Sequence, residues 1–207
     1  MTKGERTRLE IIQKAAPIFN QKGFEGASLS DLMRVTGLQK GGIYRHFSGK
    51  QELARAAFDY SWERAVRGRQ EGVAEVENTV DRLKHMIHNF IELRSELVPG
   101  GCPLMNTAVD SDDGNAILRA RAKKALQSWS ARLSNIASEG VRKKQIDPGV
   151  HPRKLAQLII ASLEGALLLS RLEKTDQPLD NMRQHLEDHL EKNVRSKNSR
   201  ALRRRAA

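Results

Sequence analysis

Apolar residues recur every three or four positions along most of this chain, which is the period of one face of an α-helix. We find no convincing alternation of apolar and polar residues over a length typical of a β-strand. Helix start and stop signals divide the pattern into about nine helices, the first of which covers residues 2–22 and ends at Gly23. The chain is therefore predicted to be an all-α protein.

The eight further predicted helices cover residues 29–36, 40–46, 49–72, 76–98, 102–112, 115–144, 152–174 and 178–195. Ser28 and Ser48 are good N-caps, and Asp31 and Gln51, three positions later, would complete two capping boxes. Pro17 lies inside the first predicted helix and should bend it, because proline removes a backbone hydrogen bond.

The net charge of +11 is concentrated at the two ends of the chain. Residues 1–50 hold nine Lys and Arg against four Asp and Glu, residues 51–191 hold 20 against 21, and residues 192–207 hold seven against none. Basic ends can bind phosphate backbones, although a terminal run of charge is often only a solvated tail. We predict a domain over residues 1–49, a larger helical domain over 50–195 and a basic disordered tail over 196–207.

The composition favours an intracellular protein without a cofactor. A single cysteine, Cys102, excludes an intramolecular disulfide and a cysteine-based metal site. The N-terminus lacks the apolar segment of a secretory signal, and the longest apolar stretch, residues 158–169, is short for a bilayer and contains Glu164. We expect a cytoplasmic protein that holds no metal and contacts no membrane.

Residues 29–46 read as a helix, a tight turn at Gly37 and a second helix, the pattern of a helix-turn-helix. The second helix of such a pair enters the major groove of DNA. Gly41 and Gly42 lie near the start of this helix, where glycine costs stability. They would let the backbone approach DNA closely. The alternative is that they only pack tightly within the protein.

The span from Arg8 to Leu53, above all KGGIYRHFSGK at residues 40–50, resembles the DNA-binding domain of the TetR/AcrR family of bacterial transcriptional regulators. The resemblance implies an N-terminal three-helix domain joined to an all-helical ligand-binding and dimerisation domain. It also implies a homodimer that binds a palindromic operator in double-stranded DNA. Such a regulator, most often a repressor, is released by a small-molecule effector, whose identity the sequence does not give.

Carried over by position, the resemblance assigns DNA contacts to nine residues. Phosphate or groove contacts fall on Ser28, Lys40, Tyr44 and Lys50, and the reading surface includes Gln39, Gly41, Gly42, Arg45 and His46. Simple core packing is the lesser alternative for Tyr44, and a surface or packing role is an equal alternative for His46. Gln39 replaces the Ser or Thr cap of many relatives, so its longer amide could reach a base or a phosphate.

The larger helical domain is expected to contain the effector pocket. Apolar residues that could line it are Phe58, Trp62, Met86, Phe90, Cys102, Met105 and Trp129, each of which is explained at least as well by plain core packing. Cys102 would lie near a helix N-terminus, which lowers the pKa of a thiol. An electrophile- or redox-sensing repressor is therefore an alternative, and a small buried apolar residue is the plainer explanation.

The helix predicted over residues 152–174 is apolar nearly all round, which predicts burial on more than one side. The small residues Ala161, Ser162, Gly165 and Ala166 would permit another helix to approach closely. The next helix offers Leu179, Met182, Leu186, Leu190 and Val194 at spacings of three or four. The resemblance implies that these two helices form a four-helix bundle with their mates in a dimer.

Two other classes of function are weaker explanations of the sequence. A basic architectural protein would coat DNA without sequence preference, and the basic tail would suit it. An all-helical enzyme is disfavoured, because no nucleophile and base stand at a telling spacing and no Gly-rich nucleotide motif is found. The sequence does not distinguish a repressor from an activator.

Overall fold

A computed structural model describes residues 1–92 and 99–197 of this 207-residue chain. Within those ranges it contains nine α-helices and no β-strand, so the prediction of an all-α protein is confirmed. The helices are α1 (Lys3–Gly26), α2 (Leu29–Thr36), α3 (Lys40–Tyr44), α4 (Lys50–Gln70), α5 (Thr79–Glu92), α6 (Pro103–Asp110), α7 (Ala116–Arg142), α8 (Pro152–Glu173) and α9 (Gln177–His189). A short 3-10 helix, Val73–Glu75, follows α4, and a π-helical turn, Leu190–Val194, follows α9.

The chain divides into two compact units, each made of two separate stretches. The first unit contains Met1–Arg67 and Arg94–Leu126, and the second contains Gly68–Leu93 and Gln127–Ala207. Helix α6 and the first part of α7 therefore belong to the same unit as α1, α2 and α3. The predicted end of helix 5 at residues 93–98 and the predicted disorder of the tail beyond residue 197 lie outside the described residues.

The first unit is organised around the apolar face of α1. Its buried cluster combines three residues of α1 with residues of α2, α3, the following turn and α4: Ile11, Ile12, Ala15, Leu32, Ile43, Phe47 and Leu53. Helix α1 also packs against α6. One helix thus supports both the helix-turn-helix and α6.

The helix ends agree with the sequence-based predictions in part. Ser28 and Asp31 form the predicted capping box at the start of α2. At the start of α4, the backbone N–H of Ser48 donates to Glu52 Oε2 at 2.7 Å and its hydroxyl donates at 2.9 Å. The predicted partner Gln51 is therefore wrong, because α4 begins two residues after Ser48 and the next position along the helix faces the cap.

The main irregularity of α1 is at Gly23, not at Pro17. The backbone stays helical through Pro17, whereas Gly23 has φ 73° and ψ 176°. That φ lies in the left-handed region, where glycine carries no steric penalty. One further helical turn then follows to Gly26, so the chain changes direction just before α2.

The second unit is built on α8, which packs against α5 and α9. The inward side of α8 includes Ile159 and Leu163, which are fully buried. Apolar residues of α9 and the turn after it are buried as well: Leu179, Leu186, Leu190 and Val194, with Met182 half-buried. The apolar spacing of this segment is therefore used inside one protomer.

A buried arginine in the second unit links the start of α5 to the segment after α9. The side chain of Arg195 is completely buried and donates to Asp81 Oδ1 at 2.5 Å, to Asn78 Oδ1 at 3.0 Å and to Glu191 Oε2 at 3.0 Å. Glu191 also accepts from Lys84 at 2.8 Å. Burial raises the pKa of Glu191, but Lys84 and Arg195 outweigh burial, so the pKa lies below its usual range. The start of α5 is thereby joined to the segment after α9.

Among the described residues, α8 is the one helix long and apolar enough to cross a membrane by length and composition. The expectation that the apolar stretch is too short is wrong for the helix as a whole, because residues flanking 158–169 lengthen it to 22. Half of its most apolar window is buried inside the protein, and one such helix is weak evidence for a membrane span. Glu164, 5% exposed, lies in the middle of this helix.

Replacing Arg195 by alanine should destabilise the protein by about 3 kcal/mol, because Asp81 and Glu191 lose a buried cationic partner. Urea unfolding near pH 7 would measure the loss. Since the pKa of Glu191 is depressed in the folded protein, the difference from wild type should be complete above the ordinary glutamate pKa of about 4.3. It should shrink as the pH falls from there through the lower pKa of the folded protein. Lys192→Ala, which removes an exposed pair with Asp188, should change stability by less than about 0.5 kcal/mol. Equal losses in the two variants would contradict the assignment.

Candidate nucleic-acid interface

Helices α2 and α3 form the predicted helix-turn-helix. Gly37 ends α2 with φ 73° and ψ 13°, and its N–H donates to the carbonyl of Met33 at 2.9 Å. This is the left-handed cap that the sequence predicts at Gly37. Leu32 of α2 and Ile43 of α3 are both fully buried. The turn and these two anchors fix the orientation of α3.

The outward side of α3 presents the predicted reading residues. Gln39, Lys40 and Arg45 are exposed, and His46 is half-buried. Gln39 occupies the N-cap position with an extended backbone, but its side chain makes no capping hydrogen bond. The amide is therefore available for another partner, as its poor capping ability suggests.

The two adjacent glycines of α3 have different surroundings. A Cβ added at Gly41 would meet no atom within 4 Å, whereas at Gly42 it would contact the Cβ of Leu38 at 3.4 Å. Neither glycine has a positive φ. The fold therefore does not require glycine at position 41, although glycine inside a helix costs up to about 1 kcal/mol relative to alanine. The contact at Gly42 is at an ordinary van der Waals distance, so a close approach to DNA stays a prediction for both glycines.

Tyr44 has a packing role in the described structure. Its ring is half-buried and lies against the apolar cluster that includes Ile43 and Phe47. This is the core role that the sequence left open. A phosphate contact by its hydroxyl stays a prediction.

Ser28 lies in a charged cluster at the start of α2. Its hydroxyl donates to Asp31 Oδ2 at 2.8 Å, and Asp31 also accepts from Lys22 at 2.7 Å and from Arg34 at 3.0 Å. The hydrogen bonds from Lys22, Ser28 and Arg34, in that order, hold the pKa of Asp31 far below its usual range. Asp31 thus stays ionised, and the hydroxyl of Ser28 already donates its hydrogen bond to it. A phosphate at Ser28 would have to compete with Asp31.

Lys50 lies at the start of α4, beside the turn between α1 and α2. Its Nζ is 4.6 Å from the centroid of the Phe24 ring and 3.4 Å from the carbonyl oxygen of Glu25. The backbone N–H of Phe24 donates to Asp110 Oδ2 of α6 at 2.7 Å. No motif in the sequence predicts a role for Phe24 or Asp110 here. The sole local signal was an aromatic residue directly after a glycine.

The predicted effector-pocket residues are divided between the two units. Phe58, Trp62, Cys102 and Met105 belong to the first unit, and Met86, Phe90 and Trp129 belong to the second. Phe58 borders a cavity of about 20 Å³ among α1, α4, α6 and α7, which is roughly the space of one water molecule. A drug-sized effector needs about 300–1,000 Å³. This cavity is therefore too small for one.

Phe90 and Trp129 make a stacked pair with ring centroids 5.6 Å apart. The Arg69 guanidinium lies 4.1 Å from the Trp129 centroid and 4.9 Å from that of Phe90. All three residues are buried, as is Met86. Their contacts are those of core packing with a cation–π component. Core packing is the alternative that the sequence left open for Met86, Phe90 and Trp129.

Cys102 occupies the N-cap position of α6, as its predicted place at a helix start requires. The residue is 5% exposed. Reactive cysteines lie in partially exposed sites, so this burial argues against direct attack of an electrophile on the thiol. The packing role of a small apolar residue fits the observed environment better.

The fold and the exposed face of α3 define a helix-turn-helix protein with an all-helical second part. Residues 11–57 match the family described as bacterial regulatory proteins, tetR family, and residues 79–186 match the tetracyclin repressor-like C-terminal domain.

A TetR transcriptional regulator from Chloroflexus aurantiacus J-10-FL is 39% identical, with a TM-score of 0.91 over 95% of this chain and 100% of its own. A TetR-family regulator from Cytophaga hutchinsonii is 36% identical, with a TM-score of 0.84 over 92% and 96% of the two chains. The HTH-type transcriptional repressor DhaR from Mycobacterium sp. (strain GP1) is 23% identical over 84% of this chain and 86% of its own.

These matches span both parts of the chain, so the chain belongs to the TetR family. It is a transcriptional regulator with a helix-turn-helix DNA-binding domain.

Gly41→Ala should weaken DNA binding at least tenfold while leaving the fold intact, because the new methyl group meets no protein atom and would face DNA. Unfolding stability should stay equal or rise by up to about 1 kcal/mol. Gly4→Ala is the matched control, since Gly4 also lies in a helix at a position where a Cβ would meet no atom and is not one of the predicted DNA-contact residues. Fluorescence anisotropy with labelled duplexes and urea unfolding would separate the two effects. Unchanged DNA affinity in Gly41→Ala would contradict a close approach at this residue.

Proposed function

We propose that this regulator is a repressor that binds a palindromic operator as a homodimer and leaves DNA when a small molecule binds. The outward face of α3 carries the proposal. Gln39, Lys40 and Arg45 are exposed at α3 and its two caps, Ile43 anchors the helix in the core, and Gly41 is exposed and adds no side chain. Such a surface can enter a major groove and offer amide and cationic donors to bases and phosphates.

An exposed apolar face on α8 supports assembly as a dimer. Leu158, Leu168, Leu169 and Leu172 are 44%, 55%, 50% and 71% exposed. Gly165 lies among them, and a Cβ there would meet no atom within 4 Å. Contiguous exposed apolar surface of this kind marks an interaction site, and the small residue would let a second helix approach closely. The occupant we propose is the same face of a second copy.

The role of α9 in this dimer differs from the one the sequence suggests. Its apolar residues, such as Leu179 and Leu186, are buried inside the protomer, and Asn181, Gln184 and His185 are exposed. A bundle formed with a second copy would therefore have leucines of α8 at its centre and polar residues of α9 at its rim. This arrangement matches the usual anatomy of an interface.

Twofold symmetry sets the form of the operator. A C2 dimer would place its two copies of α3 in successive major grooves about 34–36 Å apart, so the two half-sites would form an inverted repeat. Release from DNA follows from thermodynamic linkage. An effector that binds better to the form of the dimer that cannot span both half-sites lowers the affinity for DNA, and DNA lowers the affinity for the effector by the same factor.

Repression and effector response are supported by the relatives. One relative of similar length, DhaR, is a transcriptional repressor by name, and residues 79–186 match a tetracyclin repressor-like domain. The effector would bind in the helical part that begins with α4 and act in the cytoplasm, where the DNA is. Phe58, Trp62 and Met105 are among the residues that we propose as its contacts. Screening metabolites for loss of operator binding would identify it.

Selection of duplexes from a random-sequence library would test operator recognition. We expect enrichment of one inverted repeat, bound at least about 10³-fold more tightly than unselected DNA at the same salt concentration. Placing this repeat over a reporter promoter should lower transcription when the protein is present and restore it when the protein is removed. No enrichment would indicate a non-specific DNA-coating protein, and increased transcription would indicate an activator.

Leu168→Asp together with Leu172→Asp should convert the dimer to a monomer, because two carboxylates would face the apolar surface of the second copy. Sedimentation velocity would measure the molecular mass, and anisotropy would measure operator affinity, which should fall at least 100-fold. Val109→Asp, which adds a carboxylate at an exposed apolar residue of α6, is the control and should stay dimeric. A double variant that remains a dimer would contradict the proposed interface.

A further inference from the structure

Helix α6 contacts the last turn of α1 through the backbone N–H of Phe24. The left-handed angle at Gly23 takes the next N–H, that of Phe24, out of the regular helical pattern. Asp110 Oδ2, at the end of α6, accepts from this N–H at 2.7 Å. An ionised acceptor makes a shorter and stronger hydrogen bond than a neutral one. The position of Phe24 therefore depends on a residue of α6.

The fit between the two segments depends on the glycine. A Cβ at Gly23 would overlap the Asp110 carboxylate. A second connection lies one helical turn earlier, where Asn106 Nδ2 donates to the carbonyl of Asn20 at 2.9 Å and to its Oδ1 at 3.1 Å. Helix α6 and the end of α1 thus meet in one defined register.

Phe24 in turn limits the position of Lys50. The ammonium group lies over the face of the Phe24 ring and beside the carbonyl of the next residue, Glu25. Both contacts attract a cation, the first through the ring quadrupole and the second through the carbonyl dipole. A lysine side chain otherwise samples many rotamers, which a phosphate contact would have to restrict. The Phe24 ring restricts them before DNA binds.

We infer that Asp110 is a positioning residue for the phosphate contact of Lys50, and that it acts through Phe24. The inference rests on the proposed function, in which Lys50 contacts a DNA phosphate. Each link lies within the first unit and joins α6 to the DNA-binding surface: Asp110 fixes the Phe24 backbone, and the Phe24 ring holds the Lys50 ammonium. A displacement of α6 that breaks the first bond would weaken DNA binding without any change in α3.

The salt dependence of DNA affinity tests this inference, because its slope counts neutralised phosphates. The DNA would be a duplex that the wild-type protein selects from a random library. Lys50→Gln should lower the slope by about 1.8, that is, about 0.9 for each of two phosphates per dimer. Asp110→Ala and Phe24→Leu should each lower it by a similar amount. Neither Asp110→Ala nor Phe24→Leu should lower the slope further when it is combined with Lys50→Gln.

Two variants control for charge and for folding. Asp110→Asn keeps an acceptor for the Phe24 N–H and should retain most of the slope. Asp113→Ala removes an equal charge from a nearby exposed residue and should leave the slope unchanged. Thermal unfolding would verify that each variant is folded. If Asp110→Ala is unfolded, the slope of Phe24→Leu tests the inference instead.

The outcomes separate the inference from the proposed function. A slope lowered by Lys50→Gln but kept by both Asp110→Ala and Phe24→Leu would overturn the inference and leave the proposed function standing. A slope that Lys50→Gln itself leaves unchanged would overturn the assigned phosphate contact, and the inference with it. Equal and non-additive losses in all three variants would support the inference.

Discussion

The apolar face of α1 is the support on which the whole DNA-binding surface depends. Helix α3 has five residues, far below the length at which a helix is stable alone in water. Its orientation therefore comes from burial of Ile43 against α1 and α2, with Ile11, Ile12 and Leu32 on the other side of the contact. Because α1 also packs against α6, a movement of α1 would change both the position of α3 and the contact with α6.

Features decided by a few neighbouring residues could be predicted from the sequence. The capping box of Ser28 and Asp31 and the left-handed cap at Gly37 are of this kind, and so is the division into helices. The cap of α4 shows the limit, because its partner changed from Gln51 to Glu52 with a shift in where the helix begins. Site geometry depends on longer separations: Phe24 and Asp110 stand 86 residues apart, and no local pattern brings them together.

Burial also could not be predicted from residue type alone. In α8 the sequence shows leucines nearly all round, yet Leu163 is 1% exposed and Leu172 is 71% exposed. Which leucines turn inward depends on where α5 and α9 pack. The same reason applies to Phe90 and Trp129, whose composition suits a pocket or a core equally well. Their mutual stacking under Arg69 favours a core role, and that contact exists only once the helices are in place.

The buried Arg195 has a consequence for the order in which the chain can fold during synthesis. Asp81 and its partner stand 114 residues apart, so a ribosome adding about 5–20 residues per second needs roughly 6–23 s to supply the arginine. Until then the acidic start of α5 has no cation from this segment to neutralise it. The first unit needs only residues up to Leu126 and can close earlier. During synthesis the first unit, which holds the helix-turn-helix, can therefore fold before Arg195 is available to the second unit.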